Sequence, residues 1–89
     1  MKTAQDLGLS RPVLYVNGSG KKALLDSTRI AATATGRAVE CASDAAPERW
    51  DYPSDEAFAL ATRQYEARLE RLRAVYEEFL ALHHSIEEQ

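Results

Sequence analysis

The segment Gly18-Ser19-Gly20-Lys21 is the first place where residue types in this sequence could serve chemistry, because a glycine-rich turn before a lysine can cradle phosphates. The complete phosphate-binding motif also needs a glycine five positions before Gly20 and a serine or threonine directly after the lysine. Tyr15 and Lys22 occupy those positions, so the magnesium ligand is missing. We therefore interpret the segment as a turn and predict no nucleotide site.

Two histidine–glutamate pairs lie near the end of the sequence, His83 with Glu87 and His84 with Glu88, each spaced by about one helical turn. Such a pair can give two ligands to a metal ion, but zinc sites in proteins use three or four protein ligands. Histidines near the C-terminal end of a helix are also stabilised by the helix dipole. We interpret this stretch as a solvated helix end and predict neither a metal nor a cofactor.

Cys41 is the only cysteine, which excludes an internal disulfide and is typical of a reducing compartment. A cysteine paired with a histidine can act as a nucleophile, but Cys41 follows Val39 in a segment that alternates like a strand. We expect a small buried residue at this position. Since no other set of nucleophile, base and oxyanion donors converges, we predict that the protein is not an enzyme.

Acidic and aromatic residues cluster between positions 44 and 52, where Asp44, Glu48 and Asp51 accompany Trp50 and Tyr52. The acids do not follow the alternating order of a calcium-binding loop. Tryptophan and tyrosine are frequent anchors of protein interfaces. We predict that these five residues bind a partner, either a basic protein or a component of a nucleic-acid-processing complex.

The elements that would position these residues are clearest in the last third of the chain. Ser54 follows a proline and precedes two acids, which is typical of a helix start, and no proline or glycine occurs after it. We predict a helix over residues 54–87. Apolar residues recur along this helix with heptad spacing, and Ala67, Ala74 and Ala81 form a second row of small residues.

The first 52 residues lack such a long pattern, and their short alternating runs predict strands. We expect an antiparallel β-meander of three or four short strands drawn from Val13–Val16, Lys21–Leu25, Arg29–Thr35, Arg37–Cys41 and Trp50–Tyr52. A helix over residues 21–35 in a βαβ unit is the alternative, but its threonines lower helix propensity and a two-stranded parallel sheet is exceptional. The predicted fold class is therefore α+β, a single domain over residues 1–89 with a β-rich part at 1–52.

Charge is divided unevenly along the chain, whose net charge is −3. Residues 1–43 carry six basic and three acidic side chains, whereas residues 44–89 carry five arginines and eleven acids. No apolar run approaches the ~20 residues that span a membrane, and the N-terminus lacks the apolar core of a signal peptide. We expect a cytoplasmic protein with no membrane partner.

The length of the predicted helix favours a homodimer. A helix of this size is about 48 Å long, whereas a compact domain of 89 residues is roughly 30 Å across. The apolar stripe would therefore stay exposed unless a second chain covered it. The predicted dimer interface consists of Tyr65, Leu69, Leu72, Val75, Tyr76, Phe79, Leu80, Leu82 and Ile86.

The charge along the helix predicts how the two chains would be oriented. Residues 63–74 carry a net charge of +2, whereas residues 75–89 carry −4 with neutral histidines. An antiparallel crossing near Leu72 would bring these opposite charges together, and a parallel pair would not.

These patterns predict a small, non-enzymatic protein-binding accessory protein, an adaptor or inhibitor of the bacterial or phage type, that acts as a homodimer through its helix. The alternative is a nucleic-acid-binding regulator that uses its sheet and is dimerised by the helix. In that case Tyr15 would stack on bases, and Lys21, Lys22, Arg29 and Arg37 would contact phosphates. The acidic net charge favours protein binding.

Overall fold

The computed structural model describes residues 2–15, 18 and 20–89, and in these residues it contains two α-helices, one 3-10 turn and no strand. Helix α1 spans Lys21–Ser43, the 3-10 turn spans Arg49–Asp51, and helix α2 spans Asp55–Glu87. The long helix predicted at 54–87 is therefore present. The α+β prediction is wrong, because residues 1–52 contribute a helix and no β-meander within the described part.

The two helices run antiparallel and form an αα-hairpin, as three contacts along its length show. At one end, the Lys21 Nζ donates to the carbonyl oxygens of Glu87 and Gln89, at 3.3 and 3.2 Å. Further along, the Thr28 hydroxyl lies 2.8 Å from the His83 Nδ1. Near the other end, the Tyr65 hydroxyl donates to the Ala42 carbonyl at 2.9 Å.

The strands predicted at 21–25, 29–35 and 37–41 are wrong, because all of these residues belong to helix α1. The side chains of α1 explain why it is a helix. A stripe of residues spaced alternately by three and four positions turns toward α2, and these residues are buried or half-buried: Leu25, Thr28, Ala32, Thr35, Val39 and Ala42. The Thr28 and Thr35 hydroxyls donate to carbonyls four residues earlier, at 2.8 Å, so these threonines are accommodated within the helix. Packing against α2 thus overrides their low propensity.

The other predicted strands are also absent from the described residues. Residues 13–15 have no regular structure, and Val16 lies outside the described residues. The Trp50–Tyr52 segment overlaps the 3-10 turn. The alternative prediction of a helix at 21–35 had the correct element, but without the flanking strands of a βαβ unit. Cys41 is exposed on α1, so the expectation of a buried residue is wrong.

Gly36 lets the two helices approach closely. A Cβ atom at this position would lie 3.0 Å from the Tyr76 Cε1, closer than normal packing allows. The tyrosine ring therefore lies directly over the α1 backbone. Glycine inside a helix costs about 1 kcal/mol relative to alanine, and here it leaves space for an aromatic ring.

The N-terminal segment, residues 2–15, covers the C-terminal end of α2. Its first turn is closed by two reciprocal hydrogen bonds, from the Thr3 N–H to the Asp6 Oδ2 and from the Asp6 N–H to the Thr3 hydroxyl, both 3.1 Å. Gly8 ends the turn with a φ of +67°, which suits glycine. The Gln89 side chain then bonds the backbone of Pro12 and Leu14.

The core of the protein lies between this segment and the two helices. Ala4 is buried at 2% exposure, and it lines the same small cavity as Ala81 and Ser85 of α2, which are also buried. One member of the predicted small-residue row, Ala81, therefore sits under the N-terminal segment. Ala67 and Ala74 of the same row remain exposed.

At the end of the hairpin where the two helices are connected, α2 extends beyond α1. Helix α2 has 33 residues and α1 has 23, and α1 ends beside Tyr65. The first ten residues of α2, positions 55–64, therefore extend past α1 for about 15 Å, and we call them the overhang. The molecule measures 60 × 22 × 20 Å. Neither helix is long and apolar enough to cross a membrane, among the residues described.

Candidate interaction surface at the tip of the hairpin

The loop between the helices and the first turn of α2, residues 44–56, form the tip of the hairpin. The Ser54 hydroxyl caps α2 by accepting a hydrogen bond from the Ala57 N–H at 3.1 Å. Arg49 ties the loop to the helix, since its Nε donates to the Asp55 Oδ1 at 2.7 Å and its Nη1 donates to the Tyr52 carbonyl at 2.9 Å. The tip therefore has a defined shape although it lies outside the core.

Large apolar side chains are exposed at and beside this tip. Trp50 is 79% exposed, and Leu60 in the overhang is 48% exposed. Tyr52 is half-buried because its ring lies against that of Phe58, with centroids 6.1 Å apart. An exposed tryptophan on an ordered turn is characteristic of an interface anchor.

The tip is strongly acidic, as its sequence predicted. Residues 44–56 contain five acids and one arginine, a net charge of −4. Asp55 is paired with Arg49. The other four acids make no ion pair within the described part of the chain: Asp44, Glu48, Asp51 and Glu56. The structure thus brings the predicted partner-binding residues together on one loop, and partner binding itself stays a prediction.

Helix α2 carries four arginines, the first at the end of the overhang and the others beyond it, and all four are exposed: Arg63, Arg68, Arg71 and Arg73. None of them forms an ion pair with another described residue, even though Glu66 and Glu70 lie on the same stretch of helix. Residues 63–73 therefore present a net charge of +2 to solvent. Arg68 lies 13 residues after Asp55, which is about 20 Å along the helix axis.

The predicted dimer interface residues mostly face the same chain. Ile86 is buried at 1% exposure, and Val75 is 41% exposed. The remaining members of the predicted set are half-buried: Tyr65, Leu69, Leu72, Tyr76, Phe79, Leu80 and Leu82. Helix α1 lies along this stripe, as the contacts from Tyr65 to Ala42 and from Tyr76 to Gly36 show. This cover was not predictable from hydrophobic periodicity, because the stripe on α1 consists mainly of alanines and threonines.

The residues considered for metal or phosphate chemistry have structural contacts instead. Lys21 donates to the last carbonyls of α2, where a cation complements the helix dipole. His83 lies between Thr28 and Glu87, whose carboxylate is 3.5 Å from the Nε2, and the His84 Nε2 lies 3.0 Å from Glu88. No three of the described histidines, cysteines and acids are grouped closely enough to hold a metal.

An open groove of about 710 Å³ lies between the N-terminal segment and the hairpin. Its floor is apolar and its rim carries charges of both signs: Lys2, Asp6, Val39, Arg73, Tyr76, Glu77 and Leu80. Because the positive and negative rim charges balance, the groove selects neither an anion nor a cation.

Comparisons of the chain with models of protein families, with curated proteins and with solved structures found no match.

Proposed function

We propose that the chain is a small, non-enzymatic protein-interaction protein of the adaptor or inhibitor type, and that it works as a homodimer through α2. The observation that supports this most strongly is its surface area. The chain exposes 6520 Å², whereas a folded monomer of its 9.9 kDa mass exposes about 5,200 Å². The excess of roughly 1,300 Å² exceeds the ~800 Å² that each partner buries in a standard interface.

The small number of buried apolar residues also supports a homodimer. Among the described residues, the buried apolar side chains are Ala4, Ala32, Ala81 and Ile86, and three of these four are alanine. Burial of apolar surface contributes about 25 cal/mol per Å², so an alanine core stabilises the fold only weakly. A second chain that covered the exposed apolar residues would add the burial that one chain lacks.

The surface left open for a second chain is the overhang and the adjacent outer face of α2. Leu60 and Val75 are the exposed large apolar residues of that helix. Since α1 covers much of the stripe that includes Leu72, we place the interface toward Leu60. The alternative of a sheet-based nucleic-acid reader loses its support, because the described residues contain no sheet and Lys21 is engaged with α2.

Sedimentation equilibrium at micromolar concentration tests this proposal. The unaltered chain should have the mass of a dimer, and Leu60→Lys should be monomeric because it places an unpaired positive charge in the interface, one helical turn from Arg63. Ile30→Lys is the matched control: Ile30 is 59% exposed, but it lies two residues after Thr28 and so on the side of α1 away from α2. This control should remain a dimer, and circular dichroism should show unchanged helicity in both variants. A monomer mass for the unaltered chain would refute the proposal.

A further inference from the structure

We propose that two chains pair antiparallel through their overhangs, so that the acidic tip of each chain docks on the arginines of the other. This inference rests on the proposed homodimer and specifies its geometry. The occupant of the surface is a second copy of this chain, and the docking site is formed by Arg63, Arg68 and Arg71, which lie within about 80° of Leu60 around the axis of α2.

Charge complementarity favours contact between the tip of one chain and the arginines of the other. The tip carries four acids without an ion pair, and α2 carries four arginines without one, among the described residues. The two groups cannot meet within one chain, because they lie on the same rigid helix or on the loop tied to its start by Arg49. A second chain can bring them together. Exposed ion pairs are individually weak, so these charges select the register while apolar burial supplies most of the affinity.

The positions of these charges along α2 determine how the two helices align. In an antiparallel pair, a residue that lies before the crossing point in one chain is beside a residue that lies the same distance after the crossing point in the other chain. The tip acids lie near the level of Asp55 and Glu56, and the arginines are centred near Arg68. The midpoint between these levels falls within the turn Leu60–Gln64. Leu60, an exposed apolar residue, is therefore already at the crossing point that the charges require.

Other registers are disfavoured by like charges. A parallel pair would place each tip beside the other tip, −4 against −4. An antiparallel crossing at Leu72 would place each tip beside Glu87 and Glu88 of the second copy, which are also acidic. The crossing near Leu60 is two-fold symmetric and uses the same patch on both chains, so it closes as a dimer. Trp50 on the tip would then lie among arginines, which stack favourably on aromatic faces.

Distances between spin labels distinguish these registers. We would label a single cysteine at Gln64 or at Val75 in the Cys41→Ser background and measure the separation of the two labels in the dimer. A crossing near residue 62 offsets the two Gln64 positions by about 6 Å along the axis and the two Val75 positions by about 39 Å. A crossing at Leu72 gives about 24 and 9 Å, and a parallel pair gives offsets of about zero at both positions.

Charge reversal tests the contact itself. Asp51→Arg and Arg71→Glu should each weaken dimerisation roughly ten-fold, since each change creates two like-charge contacts per dimer. The double variant should recover most of the affinity, because the reversed charges attract again. Recovery is specific to docking between chains, since a merely structural role for either residue would not produce it.

The outcomes separate this inference from the proposed function. A dimer with short label distances at Val75 would overturn the docking geometry and leave the homodimer standing, whereas a monomer at all concentrations would overturn both. If a single-stranded oligonucleotide bound the chain with a steep salt dependence that Arg71→Glu abolished, and the double variant showed no recovery, the arginines would be a phosphate site and the docking would be wrong.

Discussion

Replacing Gly36 with alanine tests how closely the two helices approach. Alanine in a helix interior is favoured over glycine by about 1 kcal/mol. At this position, however, the added methyl carbon would lie 3.0 Å from the Tyr76 Cε1 and 3.5 Å from its Cδ1 and Cζ. Forcing an extra carbon into such a contact costs about 1–3 kcal/mol. We therefore expect Gly36→Ala to lower the free energy of unfolding by about 1 kcal/mol rather than raise it.

A double-mutant cycle isolates the contact responsible. In a Tyr76→Leu background the ring is absent, so Gly36→Ala should raise the free energy of unfolding by about 1 kcal/mol, the normal gain in helix propensity. The two substitutions should thus be coupled by about 2 kcal/mol, within the range found for residues in contact. Urea unfolding followed by circular dichroism measures each variant, at one fixed chain concentration because association changes apparent stability. If Gly36→Ala stabilised the protein equally in both backgrounds, the close approach of α1 and α2 would be refuted.

Three further predictions concern the ends of the molecule. Trp50 is the single tryptophan and is 79% exposed, so its fluorescence emission should shift to shorter wavelength as concentration rises through the dimer dissociation constant; a constant spectrum would show that the tip stays in water. Ala81→Leu should overpack the contact beneath the N-terminal segment and lower the free energy of unfolding by about 1–3 kcal/mol, whereas Ala74→Leu, at an exposed position of the same row, should change it little when measured below the dimerisation range. The Thr3 backbone N–H and hydroxyl hold the pKa of Asp6 below its ordinary value of 3.8, so the first turn should be intact above that pH and should loosen as pH falls through the lowered pKa. The protection factor of the Thr3 amide, which is its exchange rate relative to that of an unstructured peptide at the same pH, would report this loosening, and Asp6→Asn should remove the pH dependence of that factor.

Helix α2 was predictable because its signals are local and agree with one another. A capping serine, two acids in the first turn and an uninterrupted heptad pattern all indicate the same element. The acidic and aromatic residues of the tip were predictable for the same reason, since they are neighbours in sequence.

Helix α1 was not predictable by the same reasoning. Its inward stripe depends on residues such as Thr28, Ala32 and Thr35, which carry little hydrophobic signal. Over five or six positions, Arg29–Thr35 alternates as a strand does, and only the longer spacing from Leu25 to Ala42 identifies a helix. Gly36 leaves space for the Tyr76 ring, and the threonine hydroxyls bond to the helix backbone. A short stretch of sequence contains neither of these contacts.

The position of the proposed docking surface depends on helix α1, which the sequence did not predict. Without α1, the stripe from Tyr65 to Ile86 would be free for a second chain, and the charges along α2 would favour a crossing at Leu72. With α1 in place, the open part of α2 moves to the overhang. The sequence indicates only the charge of the arginines, whereas their lack of acidic partners among the residues that the structure describes is a property of the three-dimensional arrangement.

The overhang would couple the helix–coil transition of α2 to the binding of any partner at this surface. A helix of ten residues is shorter than the ~12–15 residues at which isolated helices become even marginally stable in water. Its helical state therefore depends on continuity with the rest of α2, on the Ser54 cap and on the ring contact between Tyr52 and Phe58. Backbone amides in the overhang should consequently exchange with solvent faster than those near Ala81, which is buried under the N-terminal segment. A partner that binds the overhang would slow that exchange by holding the segment helical, so occupancy of this surface can be measured from the backbone without knowing the identity of the partner.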